Sequence, residues 1–199
     1  MAKQLNWLQV DKTIRQNGLT LVSPQDLRHL LKGSEASLRF LLTRAHKRGD
    51  IVKLRRELYA LPDTLPSELE LANALLKPSY ISFHYALAYF HVIPETVYEI
   101  ASATTRVTRR FDTLGKRFTY RHIQPSAFSA YRPEKINGKT ILIAEPEKAL
   151  ADTLYFADLR KLSLPERLDV STLDLERVRS LARLYRRSDI LIEKLEALL

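Results

Sequence analysis

The chain of 199 residues contains no cysteine, which excludes disulfides, thiolate metal sites and a cysteine nucleophile. Hydrophobic residues make up 45% of it, as in ordinary globular proteins that bury a core. No apolar run is long enough to span a bilayer and no leader-like segment follows Met1. The sequence therefore predicts a cytoplasmic protein without a membrane partner.

The net charge of +9 is concentrated in one short segment. Residues 28–56 contain nine Lys or Arg and two acidic residues, a net charge of +7, whereas the sequences before and after them each carry +1. Such a segment attracts duplex DNA, because cationic side chains that bind phosphates release counterions. The alternative is a solvated basic surface without a partner.

The first part of the chain has the pattern of three helices. Apolar residues at helical spacing predict a helix over residues 3–17. Ser23 as N-cap and Pro24 at the first helical position predict a second helix that ends at Lys32-Gly33. Ser34 is the predicted N-cap of a third. The residues expected to face a common core from the first two helices are Leu5, Trp7, Leu8, Val10, Ile14, Leu27, Leu30 and Leu31.

Two short strands are predicted after the third helix, over residues 51–54 and 57–61, with Arg55-Arg56 at the bend between them. Leu19–Val22, between the first and second predicted helices, has the composition of a short strand that could pair with these two strands. This order predicts a helix-turn-helix followed by a β-wing, a supersecondary structure that places one helix in the major groove of DNA.

The third helix has one apolar side, on which Leu38, Leu41, Leu42 and Ala45 recur at 100° per residue. Its opposite side is predicted to face DNA, with the turn and wing beside it. Phe40 is open to two interpretations: it contacts a thymine methyl or a partner, or a slightly rotated helix buries it. The predicted DNA-binding residues are Lys32, Ser34, Ala36, Ser37, Arg39, Phe40, Thr43, Arg44, Lys47, Arg48, Lys53, Arg55 and Arg56.

Residues 62–66 form a breaker cluster, PDTLP, that marks a domain boundary. The sequence thus predicts an α+β protein with a winged helix-turn-helix domain over 1–62 and a mixed α/β domain over 67–199. The second domain is expected to begin with helices capped by Ser67 and Ser82. A hairpin around Leu114-Gly115, a second one around Asn137-Gly138, a helix from Glu145 and a helical remainder over 160–199, with caps at Ser171 and Ser188, complete it.

Catalytic motifs are missing from the second domain. It has no Gly-rich phosphate loop, no HExxH and no GxSxG, and its histidines lack metal-ligand spacing. Glu145, Glu147, Lys148 and Asp152 cluster at a predicted helix start. A metal nuclease would need an acid where Pro146 stands, so we expect helix capping and a surface ion pair instead. No enzyme activity, metal or cofactor is predicted. Metal-dependent cleavage that requires Glu147 and Asp152 is the alternative.

A basic strand face is the remaining candidate surface. Arginines of the first hairpin could bind an acidic partner or nucleic acid, or could simply form a solvated sheet face. The residues of this candidate partner surface are Arg106, Arg109, Arg110, Arg117 and Arg121, together with Glu147 and Lys148.

Four segments resemble the AbiEi-type antitoxins of type IV toxin–antitoxin systems, across roughly residues 23–160. These are SLRFLLTRAHKRGDIVKLRRELYAL, SYISFHYALAYFHVIPE, RRFDTLGKRFTYRHI and ILIAEPEKALADTLYF. The ordered set of the last three is more specific than the winged-helix segment. The family often has a glycine in its wing, whereas this chain has none at residues 55–57. The EPEKALAD stretch is a family marker without a known active site.

The resemblance implies a winged helix that represses its own operon at operator repeats, with Lys47, Arg48, Arg55 and Arg56 on DNA. It also implies a C-terminal domain that counters a nucleotidyltransferase-like toxin, with or without binding it directly. We expect a monomer or weak dimer. One alternative is a stand-alone winged-helix transcriptional regulator whose C-terminal domain senses a ligand or dimerises. Another is an enzyme, either the metal nuclease considered above or a factor that modifies the toxin.

Overall fold

The computed structural model describes residues 5–198, which adopt an α+β fold. The chain divides into two compact units, one up to Ser67 and one from Glu68 onward. The predicted boundary segment 62–66 therefore belongs to the first unit. Residues 3 and 4 of the predicted first helix lie outside the described residues.

The first unit has three helices and one hairpin, α1 (Trp7–Gln16), α2 (Pro24–Leu31), α3 (Glu35–Arg48), β1 (Val52–Arg55) and β2 (Leu58–Ala60). Ser23 caps α2 as predicted, because its hydroxyl accepts from the Asp26 N–H while the Asp26 carboxylate accepts from the Ser23 N–H. β1 and β2 pair antiparallel. In place of the third strand considered over Leu19–Val22, a single bridge joins Val22 to Tyr59.

One apolar core holds these elements together. Val10, Ile14, Leu27, Leu38 and Leu42 are fully buried in it, and Trp7 packs against it half-buried. Two predicted core residues are exposed instead: Leu8 retains 75% of its accessible surface and Leu30 retains 43%. The helical stripe is thus narrower than the apolar pattern suggests, because short helices around one small core bury only one or two residues per turn.

The second unit is built on a six-stranded mixed sheet. Its strands are β3 (Ser79–Ile81), β4 (Ile100–Thr104), β5 (Arg109–Thr113), β6 (Lys116–His122), β7 (Tyr131–Ile136) and β8 (Lys139–Ala144). They lie in the order β5-β6-β4-β3-β8-β7. The hairpins β5–β6 and β7–β8 are antiparallel, whereas β4 pairs with β6 and β3 with β8 in parallel.

Helices cover both faces of this sheet. They are α4 (Glu68–Leu75), α5 (Phe83–Tyr89), α6 (Pro146–Asp158), α7 (Leu175–Ala182) and α8 (Ser188–Glu196). The hydroxyl of Tyr120 on β6 donates to the Ala72 carbonyl of α4. The next residue, Arg121, projects to the other face and lies over rings of α5 and α6.

The C-terminal part differs from the prediction. Residues 160–174 are not helical, and Pro165 lies within them, where a continuous helix would lose a hydrogen bond and clash. Asp174, not Ser171, caps α7, since its carboxylate accepts from the Arg177 N–H at 3.0 Å. Ser188 is the first residue of α8 and not its cap.

Candidate nucleic-acid interface

Local signals position α3. The Ser34 hydroxyl accepts from the Ser37 N–H at 3.1 Å, which starts the helix, and Gly49 ends it with φ +85°. Leu38, Leu42 and Ala45 lie on the buried side with no exposed surface. The opposite side of α3 consequently faces away from the core of the first unit.

The predicted DNA-binding side chains are almost all exposed. Arg55 is the exception, being half-buried, and its guanidinium Nη1 donates to the Arg56 carbonyl at 2.8 Å. The twelve exposed residues are Lys32, Ser34, Ala36, Ser37, Arg39, Phe40, Thr43, Arg44, Lys47, Arg48, Lys53 and Arg56.

Half of these exposed residues line one groove of about 1080 Å³. Its lining combines polar and cationic side chains of the α2–α3 turn and of α3 with apolar side chains. The predicted residues brought together there are Lys32, Ser34, Ser37, Phe40, Arg44 and Arg48. The apolar lining residues Leu5, Trp7, Leu31 and Leu41 were predicted only as core.

Phe40 is 65% exposed, so α3 is not rotated to bury it. The guanidinium of Arg44 lies over its ring, 5.6 Å from the centroid. Phe40 and Arg44 therefore form a pair of stacked side chains on the open side of α3, where the ring restricts the arginine and remains available for contact.

The exposed cations fall into two groups. Arg39 pairs with Glu35 at 2.6 Å and with Glu57 at 2.7 Å, and Arg48 pairs with Asp50 at 2.6 Å. Five others have no carboxylate within ion-pair distance among residues 5–198: Lys32, Arg44, Lys47, Lys53 and Arg56. The unpaired group offers its full charge to a polyanion.

The hairpin β1–β2 turns without glycine. Arg56 and Glu57 form the turn between the paired residues Arg55 and Leu58, and Glu57 has a φ of +60°. A side chain in this left-handed conformation is uncommon, because Cβ crowds the backbone. The ion pair to Arg39 on α3 holds Glu57 in place.

The second predicted surface is only partly assembled. Arg106, Arg109, Arg110 and Arg117 are exposed. Arg121 is half-buried over the rings of Phe83 and Phe156, 5.7 and 5.5 Å from their centroids, and burial lowers its pKa. The prediction that Arg121 belongs to an exposed sheet face is therefore wrong, since α5 and α6 cover that face.

Lys148 and Glu147 do not join this surface either. Lys148 is completely buried, which contradicts its prediction as a surface residue. Glu147 is half-buried, and its carboxylate accepts from the Asp174 N–H at 3.3 Å. Position 148 faces inward because the helix α6 packs one side on the sheet and on α7 and α8.

Asp152 and Lys148 form a buried ion pair where we predicted a surface ion pair. One Asp152 oxygen accepts from Lys148 and from the Tyr185 hydroxyl, and the other accepts from Tyr80 at 3.1 Å and Ser82 at 2.6 Å. Burial raises the pKa of both tyrosines, as does the charge of Asp152, so their hydroxyls stay protonated and donate.

Sequence reasoning missed the partners Tyr80, Ser82 and Tyr185. The one available signal was the placement of Lys148 and Asp152 four residues apart inside the apolar run KALADTLYF, where both must face the same side of a helix. Within residues 5–198, no group of three His, Asp or Glu could hold a metal ion. No helix in that range is long and apolar enough to cross a bilayer.

Comparisons with known proteins add little. No family model matches the chain, and no curated protein matches it. Among solved structures, the chain is similar to the solution structure of the antibiotic-resistance factor ANT(2'')-Ia, with a TM-score of 0.38 and 15% sequence identity. The match covers 61% of this chain and 89% of that one. At this level of similarity it carries no argument about fold or function.

Proposed function

We propose that this chain is an antitoxin of a type IV toxin–antitoxin system that binds operator DNA and represses its own operon. In this proposal α2, α3 and the β1–β2 hairpin of the first unit act as a winged helix-turn-helix. The observation that carries it is the open side of α3. Arg44 and Lys47, which have no ion-pair partner among residues 5–198, are exposed there together with Phe40 and small polar residues.

The residue types on α3 suit the major groove of DNA. Ala36 and Ser37 near its beginning are small and exposed, which lets a helix approach base edges closely. Arg44 and Lys47 lie farther along, where cations bind phosphates. Arg56 at the hairpin turn is exposed and suits a phosphate contact or the narrow minor groove beside it.

The antitoxin half of the proposal is supported by the resemblance to the AbiEi-type antitoxins alone. It holds that the second unit counters a nucleotidyltransferase-like toxin encoded beside this chain. The two activities then depend on different units, and a variant that fails to bind DNA should still protect cells. This separation makes the proposal testable in two independent steps.

Operator binding is tested with the DNA upstream of the chain's own coding sequence, by fluorescence anisotropy at several salt concentrations. The double replacement Arg55→Ala/Arg56→Ala should weaken binding to operator and to random duplex alike, since phosphate contacts carry no sequence information. The matched control is Lys12→Ala, an exposed cation of α1 outside the predicted surface. Full operator affinity in the double variant would contradict the proposal.

Toxin neutralisation is tested by expressing the neighbouring gene with and without this chain. Growth arrest by the neighbour alone, relieved equally by the wild-type chain and the Arg55→Ala/Arg56→Ala variant, is expected. A harmless neighbour would remove the antitoxin function and leave a stand-alone transcriptional regulator.

A further inference from the structure

The two edges of the six-stranded sheet differ in their main-chain groups. Strand β7 forms one edge, and its hairpin closes on the pair Ile136–Lys139 around Asn137-Gly138. Because main-chain groups of an antiparallel strand alternate in direction, those of Lys135 and Pro133 point outward. Proline has no N–H, so it blocks the addition of another strand at this edge.

Strand β5, the opposite edge, carries no such block. Its hairpin closes on the pair Thr113–Lys116, and the same alternation directs the N–H and C=O groups of Arg110 and Asp112 outward. No strand among residues 5–198 pairs with this side of β5. Two outward residues in an extended strand lie about 7 Å apart, the spacing that a further β-strand matches.

Positive charge is concentrated along this edge. Residues 106–117 contain five Lys or Arg and one acidic residue, a net charge of +4. The whole second unit from Glu68 has 20 basic and 17 acidic residues, so the remainder of the unit is close to neutral at −1. The edge is thus a local basic strip, and an acidic segment complements it.

Two exposed apolar side chains lie at the ends of the strip. Val107 retains 68% of its accessible surface. Leu114 retains 40% and occupies the first turn position with φ +50°, where glycine or asparagine is favoured. The backbone of Leu114 is thus held in a conformation that a residue with a side chain adopts only at an energetic cost, and such outliers occur at sites of function.

We propose that the β5 edge, defined as residues 106–117, binds an extended acidic segment of a partner protein, which adds a seventh strand beside β5. The arginines attract the segment, the outward groups of Arg110 and Asp112 hydrogen-bond its main chain, and Val107 and Leu114 contact its apolar residues. The inference concerns the second unit alone and does not depend on DNA binding.

Two other occupants fit less well. A second copy of the chain would place two strips of net charge +4 against each other, and like charges opposite one another destabilise strand pairing. Single-stranded nucleic acid needs aromatic rings on which bases stack. The one aromatic residue of the strip, Phe111, is half-buried and packs edge-on against Tyr120 at 5.7 Å.

The test is an NMR titration of the full ¹⁵N-labelled chain with an extended peptide that alternates Glu and Val. The amides of Arg110 and Asp112 should shift, while those of Lys135 on the opposite edge should not. Arg110→Gln removes a charge and keeps the N–H, so binding should weaken about twofold. Arg110→Pro also removes the outward N–H and should weaken binding about tenfold.

A charge-reversed variant keeps the proposal testable if Arg110→Pro disturbs the hairpin. The variant Arg109→Glu/Arg110→Glu should no longer bind the Glu-Val peptide and should bind a Lys-Val peptide instead. Lys135→Gln is the matched control on the other edge. Equal binding by Arg110→Pro and Arg110→Gln, in chains whose β7–β8 amides are unchanged, would overturn strand addition. If the wild-type chain does not bind the Glu-Val peptide, or binds a single-stranded oligonucleotide more tightly at β5, the proposal that the partner is an acidic segment is overturned.

Discussion

Arg39 on α3 and Glu57 in the β1–β2 turn form an ion pair, with 2.7 Å between Nη2 and Oε1. The same Nη2 atom lies 2.6 Å from Glu35, one helical turn before Arg39. A single guanidinium thus connects the beginning of α3 to the hairpin turn. All three side chains are at least one-third exposed, so the pairs contribute less to stability than to the orientation of the hairpin.

Substitutions at Glu57 should distinguish the effect of backbone strain on stability from the effect of the lost ion pair. Glu57→Ala and Glu57→Gly both remove the ion pair to Arg39, but only glycine adopts a φ of +60° without steric cost. We expect the glycine variant to be more stable than the alanine variant by about 0.5–1 kcal/mol. Urea unfolding followed by fluorescence of Trp7, the single tryptophan, reports on the first unit. Equal stability of the two variants would show that the backbone at position 57 is not strained.

The cations without ion-pair partners should carry the salt dependence of DNA binding. Lys47→Ala or Arg56→Ala should each reduce the slope of log K against log salt concentration by about 0.9, the contribution of one phosphate. Anisotropy titrations at four or more salt concentrations measure the slope. Lys12→Ala should leave it unchanged, and a slope that falls equally for Lys12→Ala would show that binding depends on net charge alone.

Phe40 should contribute to sequence preference without contributing to folding. Because its ring is 65% exposed, Phe40→Ala should change the free energy of unfolding by less than about 0.5 kcal/mol. Loss of an apolar contact with a thymine methyl would narrow the difference in affinity between operator and random DNA by about 1 kcal/mol or more. Competition binding with both DNAs measures this, and Leu8→Ala, an exposed apolar change on α1, is the control. An unchanged ratio would remove Phe40 from the base-reading surface.

The free energy of unfolding of the second unit should fall strongly when one member of the buried pair Lys148–Asp152 is replaced alone. Lys148→Met leaves the Asp152 carboxylate buried without its cation and should cost about 3–5 kcal/mol. The double variant Lys148→Met/Asp152→Asn removes both charges and should cost less than the sum of the single changes. Amide exchange of α6 measures these free energies. The partly exposed pair Arg132–Glu134 is the matched control, for which Arg132→Gln should cost under about 1 kcal/mol. Additive costs for Lys148 and Asp152 would contradict their coupling.

The hydrogen-bond network around Asp152 shows which contacts could not be predicted from the sequence. Local signals predicted the Ser23 cap and the Asn137-Gly138 turn correctly, because a cap or a two-residue turn involves neighbours in the chain. The burial of Asp152 depends on donors 72 and 33 residues away, Tyr80 and Tyr185, and no local pattern encodes that meeting. The parallel pairing of β4 with β6 was missed for the same reason, whereas both hairpins were predicted.

His84 on α5 should make the second unit less stable in mild acid. Burial lowers its pKa and nearby Arg121 lowers it further, against the opposing effects of the hydrogen bond to the Ser163 carbonyl and the charges of Glu95 and Glu99. A histidine whose pKa is lower when folded binds fewer protons than in the unfolded chain. Its contribution is therefore present above the unfolded pKa of about 6.5 and is lost as pH falls through that value toward the folded pKa.

Two measurements check this effect of His84. Its imidazole resonances should titrate below about pH 6.5 in the folded chain. Amide exchange of α5 should show a greater loss of protection between about pH 7.5 and 5.5 in the wild-type chain than in His84→Gln, because glutamine can still donate to the Ser163 carbonyl but does not titrate. An equal loss in both chains would assign the acid sensitivity to other groups, and a histidine that titrates above 6.5 would reverse the sign.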